Sequence, residues 1–468
     1  MSNTAPAPVE QSVQRSVEQD LRQLALAVVD RAMSAGATDA EAVVYEGDEF
    51  EALVRMGEVE QLKESGSRAI GLRVFCGTRT ASTSSSDLSD EGVGRLVAGA
   101  IDLARVTSED PYAGLPETDA FGQIAGAGSL QLYSEDVYSL PAAERIEYAR
   151  RAEAASLAAD PRIQNSRGGS FDAGTGHKIL VNSRGFLGEY RRSLCSISAS
   201  PIAQSEDGQM QRDYWYSSAR SVTGLESPEA IGEEAARRTL RRLGAHSVPT
   251  QQVPIVLSAE VARSITGHIF EAANGSSIYH QSSFFTGKLG EQVADSSVTV
   301  IDDGTLVGGF GTSPFDGEGL PTRRTVIVER GILRNYLLNT YTARKLGMAS
   351  TGNASRGLAG APGIGAGNLF LEAGSDAPES LIAGITTGLY VTELIGQGVN
   401  MVTGDYSRGA SGLWIENGAL TYPVEGITIA GNLKDMLRGI SAIGNDLVFR
   451  GSVASPTVRI DGMTIAGK

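Results

Sequence analysis

The sequence predicts an α+β protein, in which N-terminal α/β sandwich-like units are followed by a mostly antiparallel β C-terminal domain. Glycine supplies 57 of the 468 residues and aromatic residues only 6%, a composition that suits short strands and tight turns better than a long helical bundle. Helical periodicity alternates with strand-like runs in the first half, whereas turn signals separate strand-like runs in the second half. Because single cores stop growing near about 250 residues, we expect two or three domains.

Composition and charge exclude several partners. The formal net charge is -15 and the basic residues are scattered, so we expect no nucleic-acid partner. Cys76 and Cys195 are too few for a disulfide scaffold and lack C-x-x-C spacing, which favours buried thiols in a reducing compartment. The N-terminus has no basic region followed by an apolar core, and no apolar run reaches about 18 residues. We therefore expect a soluble, cytoplasmic protein with no membrane partner.

The first unit is predicted at residues 15–106. An apolar stripe with helical spacing predicts a first helix that stops at Gly36. The stripe consists of Val17, Leu21, Leu24 and Val28. Four strand-like runs follow, at Glu41–Tyr45, Phe50–Arg55, Ala69–Phe75 and Arg79–Thr83. A second helix with apolar residues from Leu96 to Ala104 completes the order α-β-β-β-β-α.

A polar linker at residues 107–128 precedes the second unit, predicted at residues 129–247. Its elements are a helix at Ala142–Ala158, strands around Lys178–Val181 and Gly188–Ile197 with a turn at Asn182–Gly185, and a helix at Pro228–Leu243. Ser227 is suited to cap this last helix, because serine oxygens accept from free backbone N–H groups at a helix start.

The C-terminal domain is predicted at residues 250–467. Three dipeptides lie between apolar or alternating runs, namely Asp303-Gly304, Arg330-Gly331 and Asn417-Gly418. Such dipeptides supply the positive φ angles of two-residue hairpin turns. Three hairpins predict a mostly antiparallel sheet.

The segment Ser258–Phe285 contains the residues most suggestive of chemistry. Ser258 is suited to cap a helix, and His268 and Glu271 are three apart on one face of it. With His280 nearby, they could form a metal site or an acid-base pair. The alternative is a side-chain hydrogen bond or a surface pair, which we favour because zinc sites take three or four ligands.

A series of motifs lies in the C-terminal domain, at Thr312–Gly319, Leu337–Gly347, Ser350–Gly352, Val391–Gly398, Thr403–Gly409 and Ile427–Met436. In this order they resemble the PmbA (TldE) branch of the TldD/PmbA family. The family's S-T-P-F-D-x-E-G motif appears at Thr312–Gly319 with its first two residues exchanged. The earlier units also fit the family's N-terminal architecture, so the resemblance covers nearly the whole chain.

The resemblance implies a changed metal site. The TldD branch carries an H-E-x-x-x-H helix that holds zinc, with a further cysteine ligand near the C-terminus. The family's common Gly-Glu-x-Val-Ala sequence is present at Gly290–Ala294. If it fixes the alignment of this helix with that of the TldD branch, the two histidine positions are Thr266 and Glu271, and the glutamate position is Gly267. The last cysteine is Cys195. We therefore expect no cofactor in this chain and zinc in a TldD-like partner.

The function that the resemblance implies is that of a subunit of a TldD/TldE-type metallopeptidase complex, itself without the zinc site, that degrades or trims extended or unfolded peptides. One alternative is a self-sufficient, homodimeric PmbA-type metalloprotease with an unrecognised metal site. Another is a non-enzymatic, regulatory peptide-binding protein. The expected partners are a TldD-like zinc-bearing subunit and an extended peptide, with a possible homodimer when the chain is alone.

Four residues in Gly-rich loops are candidates for lining the peptide cleft. They are Asn353, Asp405, Tyr406 and Arg408. The alternative for Asp405 and Arg408 is a purely structural role in tying their loop together.

Overall fold

The first half of the chain forms one antiparallel sheet with helices packed on it. The structure is a computed structural model that describes residues 8–467, and the side chains of residues 20–126 and 128–467. The elements of this half are α1 Pro8–Ser34, β1 Asp39–Arg55, β2 Glu58–Cys76, β3 Arg79–Ser85, α2 Asp90–Val106, α3 Glu135–Ser139, α4 Ala142–Ala158, β4 Ile163–Asn182, β5 Leu187–Gln204, β6 Met210–Arg212, β7 Trp215–Ala219 and α5 Pro228–Leu240.

The second half contains three further sheets. Its elements are β8 Gln251–Leu257, α6 Ala259–Ala273, α7 Gly275–Tyr279, β9 Val300–Asp303, β10 Arg324–Glu329, β11 Ile332–Leu333, α8 Thr340–Leu346, β12 Ala354–Ser355, β13 Gly363–Ile364, β14 Asn368–Leu371, α9 Pro378–Ala383, β15 Thr387–Ile395, β16 Asp405–Glu416, β17 Ala419–Asn432, α10 Leu433–Arg438, β18 Ile440–Ile443, β19 Val453–Ala454 and β20 Val458–Ala466.

The strand orders confirm the α+β prediction with a mostly antiparallel C-terminal domain. The N-terminal sheet has the order β3-β2-β1-β4-β5-β6, with β7 also pairing β5. The units predicted at 15–106 and 129–247 both contribute strands to it. In the C-terminal half the orders are β17-β16-β15-β8-β20-β18 and β11-β10-β9-β14-β19, and β12 pairs β13. Only β8–β15 and β14–β19 are parallel among the described strand pairs. No helix of residues 8–467 is long and apolar enough to cross a membrane.

Helical periodicity located the helices well. In the apolar stripe of α1, Leu21 and Val28 are buried, whereas the side chain of Val17 lies outside those described. Helix α4 begins and ends where the sequence predicts. Ser227 caps α5 by accepting from the backbone N–H of Ala230. Burial of one face against the sheet explains why the spacing of apolar residues identifies such helices.

One predicted strand boundary is wrong. The runs Glu41–Tyr45 and Phe50–Arg55 are parts of the single strand β1, which stays paired with β2 and β4 through the polar residues between them. Gly47 explains the continuity, because a Cβ there would lie 2.5 Å from the carbonyl oxygen of Thr175. Its missing side chain permits a close strand approach where the sequence indicates a turn.

Two of the three predicted hairpins form. Arg330-Gly331 joins β10 to β11 and Asn417-Gly418 joins β16 to β17, each with both φ angles positive. The Asp303-Gly304 hairpin is wrong. The Asp303 carboxylate instead accepts from the backbone N–H and hydroxyl of Thr305, and β9 pairs with β10 only after the chain has returned from residues 304–323. An Asx turn therefore replaces the hairpin turn.

An aromatic cluster joins the two halves. Phe315, from the C-terminal half, lies edge-on to Phe186 and Tyr190 of the N-terminal half, with ring centroids 5.3 Å apart in each pair. Edge-to-face rings at this distance attract one another beyond their burial of apolar area. The cluster therefore fixes the N-terminal sheet against the C-terminal loops and positions the cleft described below.

Candidate functional site

Helix α6 carries the predicted metal-binding positions and is anchored in the C-terminal core. Its apolar stripe, Val261, Ile265 and Ile269, is buried, as helical spacing predicts. Ser258 occupies the N-cap position, but its side chain makes no capping hydrogen bond. The first turn is held instead by the Ser258 carbonyl, which accepts from the N–H groups of Val261 and Ala262.

The would-be zinc positions do not converge. Thr266 is 1% exposed, whereas the Glu271 side chain is 56% exposed. Positions five apart in a regular α-helix lie about 140° apart around the axis, so the two side chains leave α6 on different faces. Gly267 has no side chain to act as a general base. One buried hydroxyl, one exposed carboxylate and a glycine do not match the donor set of a zinc peptidase, so these residues do not fit the metal.

The other metal-ligand candidates are a pair on α6, His268 and Glu271, and a separate histidine, His280. His268 Nδ1 lies 3.6 Å from Glu271 Oε2, and this neighbouring imidazole holds the pKa of Glu271 below its usual value. His280 follows α7, and its ring contacts Tyr279 with centroids 4.8 Å apart. Among the described side chains, no three His, Cys, Asp or Glu groups could together hold a metal ion.

Three of the predicted cleft residues lie at the start of β16 with different surroundings. Asp405 accepts from Thr403 in its own loop and from Asn432 at the end of β17, and these hydrogen bonds lower its pKa. Tyr406 is buried, with its ring edge-on to His268 at 6.1 Å between centroids. Burial raises the pKa of Tyr406 to about 12, so its hydroxyl stays protonated at neutral pH.

Arg408 reaches a groove beside α6. Its Nε donates to the Gly396 carbonyl at 2.9 Å, and its side chain lines a cavity of about 740 Å³. We name this cavity the α6 groove. Its walls come from β4, β5 and β7 on the N-terminal side, and from the first half of α6, β15 and β16 on the C-terminal side. The groove therefore lies between the two halves of the chain.

The N-terminal wall of the α6 groove is aromatic and basic. Arg238 lies over the Trp215 ring at 4.5 Å from its centroid, and Arg263 of α6 donates to the Tyr216 hydroxyl at 3.2 Å. Strand β7, which carries both aromatic residues, pairs only with β5 among the described strands. It is therefore an edge strand beside the groove. Arg450 donates to its Tyr216 carbonyl, and the edge groups that stay free can accept an added strand.

The fourth predicted cleft residue, Asn353, lies in a second cavity of about 410 Å³, which we name the junction cleft. One wall is the face of the N-terminal sheet that carries Tyr45, Lys178 and Tyr190, paired side by side on β1, β4 and β5. The other wall consists of C-terminal loop residues between 302 and 367. Asn353 donates to the Asp302 carboxylate at 2.6 Å and to the Gly365 carbonyl at 3.0 Å.

A buried ion cluster ties the walls of the junction cleft together. Glu41 on β1 is fully buried and lies 2.6 Å from Arg356 of the C-terminal half and 3.0 Å from Arg73 on β2. Arg356 is also fully buried, and it lines the cleft. Neutralising the glutamate or the arginines would leave the opposite charge buried and uncompensated. The cluster therefore fixes how the two halves meet.

Several ionisable groups of the junction cleft are shifted by burial. Burial lowers the pKa of Lys178 to about 8, helped by the nearby cations Arg192 and Arg356. Burial raises the pKa of Asp302 to about 6. Burial and neighbouring Glu318 raise the pKa of Asp316. Clustered shifted groups inside a cavity mark a functional-site candidate on physical grounds.

The sequence alone did not single out the charged residues of the junction cleft. Glu41 and Arg73 each lie inside an apolar strand-like run, and a charge in such a run is a signal that could have been used, since unpaired charges are rarely buried. Lys178 and Asp302 are far apart in the sequence and carry no local signal. Only the pairing of strands and the docking of loops brings them to one cavity.

The sequence matches the three domains of a metallopeptidase family. Residues 40–104 match the PmbA/TldA metallopeptidase domain 1, residues 135–243 match the central domain and residues 250–467 match the C-terminal domain. These matches cover most of the chain, so the protein belongs to the TldD/PmbA family, as its motifs predict.

The relatives place the chain in the PmbA branch. It is 41% identical over 437 residues to the metalloprotease PmbA of Escherichia coli O157:H7, covering 93% of this chain and 94% of that one. It is 37% identical over 463 residues to a metalloprotease PmbA homolog of Haemophilus influenzae, covering 99% of both. A crystal structure from Bacteroides thetaiotaomicron has a TM-score of 0.88 and 29% identity, covering 96% of this chain and 99% of that one.

Proposed function

We propose that this chain is the subunit without the zinc site in a two-component peptidase, in which a TldD-like partner holds the zinc and an extended or unfolded peptide is degraded or trimmed. The observation that carries the proposal is the geometry of α6. Buried Thr266, exposed Glu271 and Gly267 between them supply neither converging ligands nor a general base. A chain with this helix contributes to the reaction by shaping the cleft and holding the substrate.

The α6 groove suits that role. An extended peptide has free backbone N–H and C=O groups, and β7 offers an edge where such groups can pair. Side chains of the groove then contact the peptide's side chains and carbonyl oxygens. The wall carries five arginines and three carboxylates, namely Arg167, Arg212, Arg238, Arg263, Arg408, Asp213, Glu260 and Glu393. This excess of positive charge favours carbonyl-rich or acidic stretches of substrate.

The assembly is proposed for the cytoplasm, where a peptidase of this kind meets unfolded chains. Cys76 and Cys195 are both free thiols, which agrees with a reducing compartment. In the absence of the partner we propose that the chain forms a homodimer, since symmetric pairing is the commonest way to cover an interface. Light scattering at micromolar concentration tests this, and a monomer would contradict it.

A self-sufficient metalloprotease is the second candidate, because the Escherichia coli relative is named a metalloprotease and His268 and Glu271 form a close pair. The decisive experiment measures zinc by elemental mass spectrometry on the chain purified alone, after incubation with zinc and desalting. Cleavage of an unfolded fluorogenic peptide is measured in parallel for the chain, the TldD-like subunit and their mixture. We expect well below one zinc per chain and cleavage by the mixture.

The control is the same mixture with a TldD-like subunit whose motif histidines are replaced by alanine, which should be inactive. Zinc near one per chain together with cleavage by this chain alone would refute the proposal and support the second candidate. Loss of zinc in a His268→Ala variant would then identify the ligand.

The groove is tested separately with Arg263→Ala and Arg408→Ala in the mixture. Each variant should raise KM for the peptide without changing assembly measured by size-exclusion chromatography. Arg95→Ala is the matched control, because Arg95 is an exposed arginine on α2 outside the groove. Loss of assembly in the groove variants would instead show that these arginines have a structural role.

A further inference from the structure

The sheet wall of the junction cleft presents two cations without partners. Lys178 on β4 and Arg192 on β5 both line the cleft, and neither side chain makes a hydrogen bond or ion pair with the described residues. They lie on the same face, because Lys178 is paired with Tyr190 and Arg192 follows Tyr190 by two positions. The two positive charges repel one another, and an anion between them would be attracted by both.

Two glycines beside these cations accommodate the Tyr45 ring, which brings its hydroxyl next to them. Gly176 on β4 is paired directly with Arg192 and with Gly47. The Tyr45 hydroxyl lies against both glycines, since a Cβ would come within 2.9 Å of it at Gly176 and 2.8 Å at Gly47. This hydroxyl has no hydrogen-bond partner among the described residues, so it is free to donate to the same anion.

The C-terminal wall carries the carboxylate of Asp302, besides the guanidinium groups of Arg323 and Arg356. Asp302 is 1% exposed and lines the cleft, and its carboxylate is oriented by the amide of Asn353 through Oδ2. The other oxygen, Oδ1, is buried without a well-aligned hydrogen-bond donor, and the backbone N–H of Gly367 lies near the carboxylate. Leaving a buried acceptor unsatisfied costs free energy that a donor in the cleft would remove.

We propose that the junction cleft binds a small zwitterion, a free α-amino acid or a di- or tripeptide, with its carboxylate at Lys178 and Arg192 and its ammonium at Asp302. The cleft of about 410 Å³ is at the small end of the range of about 300–1,000 Å³ for ligand pockets. A ligand of this size spans the two walls with one charge at each. None of these groups lies on α6, so the site stands whether or not the chain is a subunit of a peptidase.

The first test uses the unaltered chain and needs no variant. Isothermal titration calorimetry is performed with L-alanine, L-alanyl-L-alanine, N-acetyl-alanyl-alanine, alanyl-alanine amide and inorganic phosphate. We expect alanine or alanyl-alanine to bind, and each end-blocked dipeptide to bind at least about tenfold more weakly, because it has lost one of the two charges. Tighter binding of alanine identifies a free amino acid as the ligand, and tighter binding of alanyl-alanine identifies a short peptide.

The second test removes each wall's charge. Lys178→Met and Asp302→Asn should each weaken the zwitterion by about tenfold or more, which corresponds to about 1.4 kcal/mol. Lys434→Met is the matched control, because Lys434 is exposed on α10 and lies outside the cleft. Circular dichroism confirms that each variant is folded before titration.

Three results would overturn the proposal. The first is the absence of binding by alanine and alanyl-alanine at millimolar concentration. The second is equal binding of the end-blocked dipeptides, which would show that the charges are not recognised. The third is phosphate binding as tightly as the zwitterions and unaffected by Asp302→Asn, which would define an anion site only.

Discussion

The buried Glu41 carboxylate is the most informative single group to perturb. It lies on β1 between Arg73 of β2 and Arg356 of the C-terminal half, at 3.0 Å and 2.6 Å. Glu41→Gln keeps the shape of the side chain and removes its charge. The variant leaves two guanidinium groups in the interior with their main counter-charge gone.

The expected loss is worked from the burial of the cluster. Breaking a buried ion pair by removing one partner costs about 3–5 kcal/mol. Glu318 is buried close enough to Arg73 to feel its charge, so part of the positive charge stays compensated. We therefore expect a loss near the lower end, about 3 kcal/mol, of the free energy of unfolding. That is a large fraction of the roughly 5–15 kcal/mol that stabilises a typical domain.

Urea unfolding monitored by tryptophan fluorescence measures the loss, because Trp215 and Trp414 report on the two halves of the chain. The matched control is Glu46→Gln on the same strand. Glu46 pairs with Arg68 at the surface, and such exposed pairs contribute about 0–1 kcal/mol. If Glu41→Gln shifts the unfolding midpoint no more than Glu46→Gln does, the buried cluster does not join the halves and the reasoning is wrong.

Four further predictions concern other sites. Asp302 keeps its proton up to pH about 6 in the folded chain, against 3.8 for the free group, so its contribution to stability is present below pH 4 and is lost as the pH rises towards 6. The pKa of Asp302 is about 2.2 higher in the folded chain than in the free group. At 1.36 kcal/mol for each pKa unit, this corresponds to about 3 kcal/mol of the free energy of unfolding. Asp302→Asn should therefore gain stability relative to the unaltered chain between pH 4 and pH 8 in urea titrations, and an unchanged difference would contradict this. Combining Thr266→His with Glu271→His should give no zinc-dependent peptide cleavage and should destabilise the chain by about 1–3 kcal/mol, because position 266 is buried. Glu271→His alone should change stability by less than about 0.5 kcal/mol, and zinc-stimulated cleavage by the double variant would refute the assigned register. Gly94→Ala, on α2 with nothing within 4 Å of the added Cβ, should stabilise the chain by about 0.5–1 kcal/mol in thermal unfolding. Gly71→Ala should destabilise it, because its Cβ would lie 1.7 Å from a carbonyl oxygen of the loop after β12, and an unchanged melting temperature would contradict that contact.

Elements governed by local rules could be predicted from the sequence. Helix α4 follows from apolar spacing alone, and the Asn417-Gly418 turn follows from the φ angles it requires. Predictions fail where a long-range contact decides. The Asp303-Gly304 dipeptide has the composition of a hairpin turn, yet the partner of β9 comes from beyond residue 320, which no local pattern reveals.

The same division applies to the candidate site. The sequence predicts a loss of zinc donors at Thr266 and Gly267, and this prediction depends on the register of a single helix. Asn353 was predicted for the peptide cleft, and it lies in the junction cleft and not in the α6 groove. Asp302, which accepts from Asn353, and Lys178, which lines the same cleft, come from different strands and from different halves of the chain. Their proximity depends on strand register and domain docking, which the sequence does not show.

The junction cleft exists only while the two halves are docked, because one wall belongs to each. The Phe315 contacts and the Glu41–Arg356 pair hold that arrangement in the free chain. A zwitterion bridging Lys178 and Asp302 would bind the docked form and not the separated one. By mass action it must then stabilise docking by RT ln(1 + [L]/Kd), about 2.7 kcal/mol at a concentration of 100 Kd. The α6 groove also has one wall from each half, so a ligand in the junction cleft would favour the arrangement that forms the proposed peptide groove.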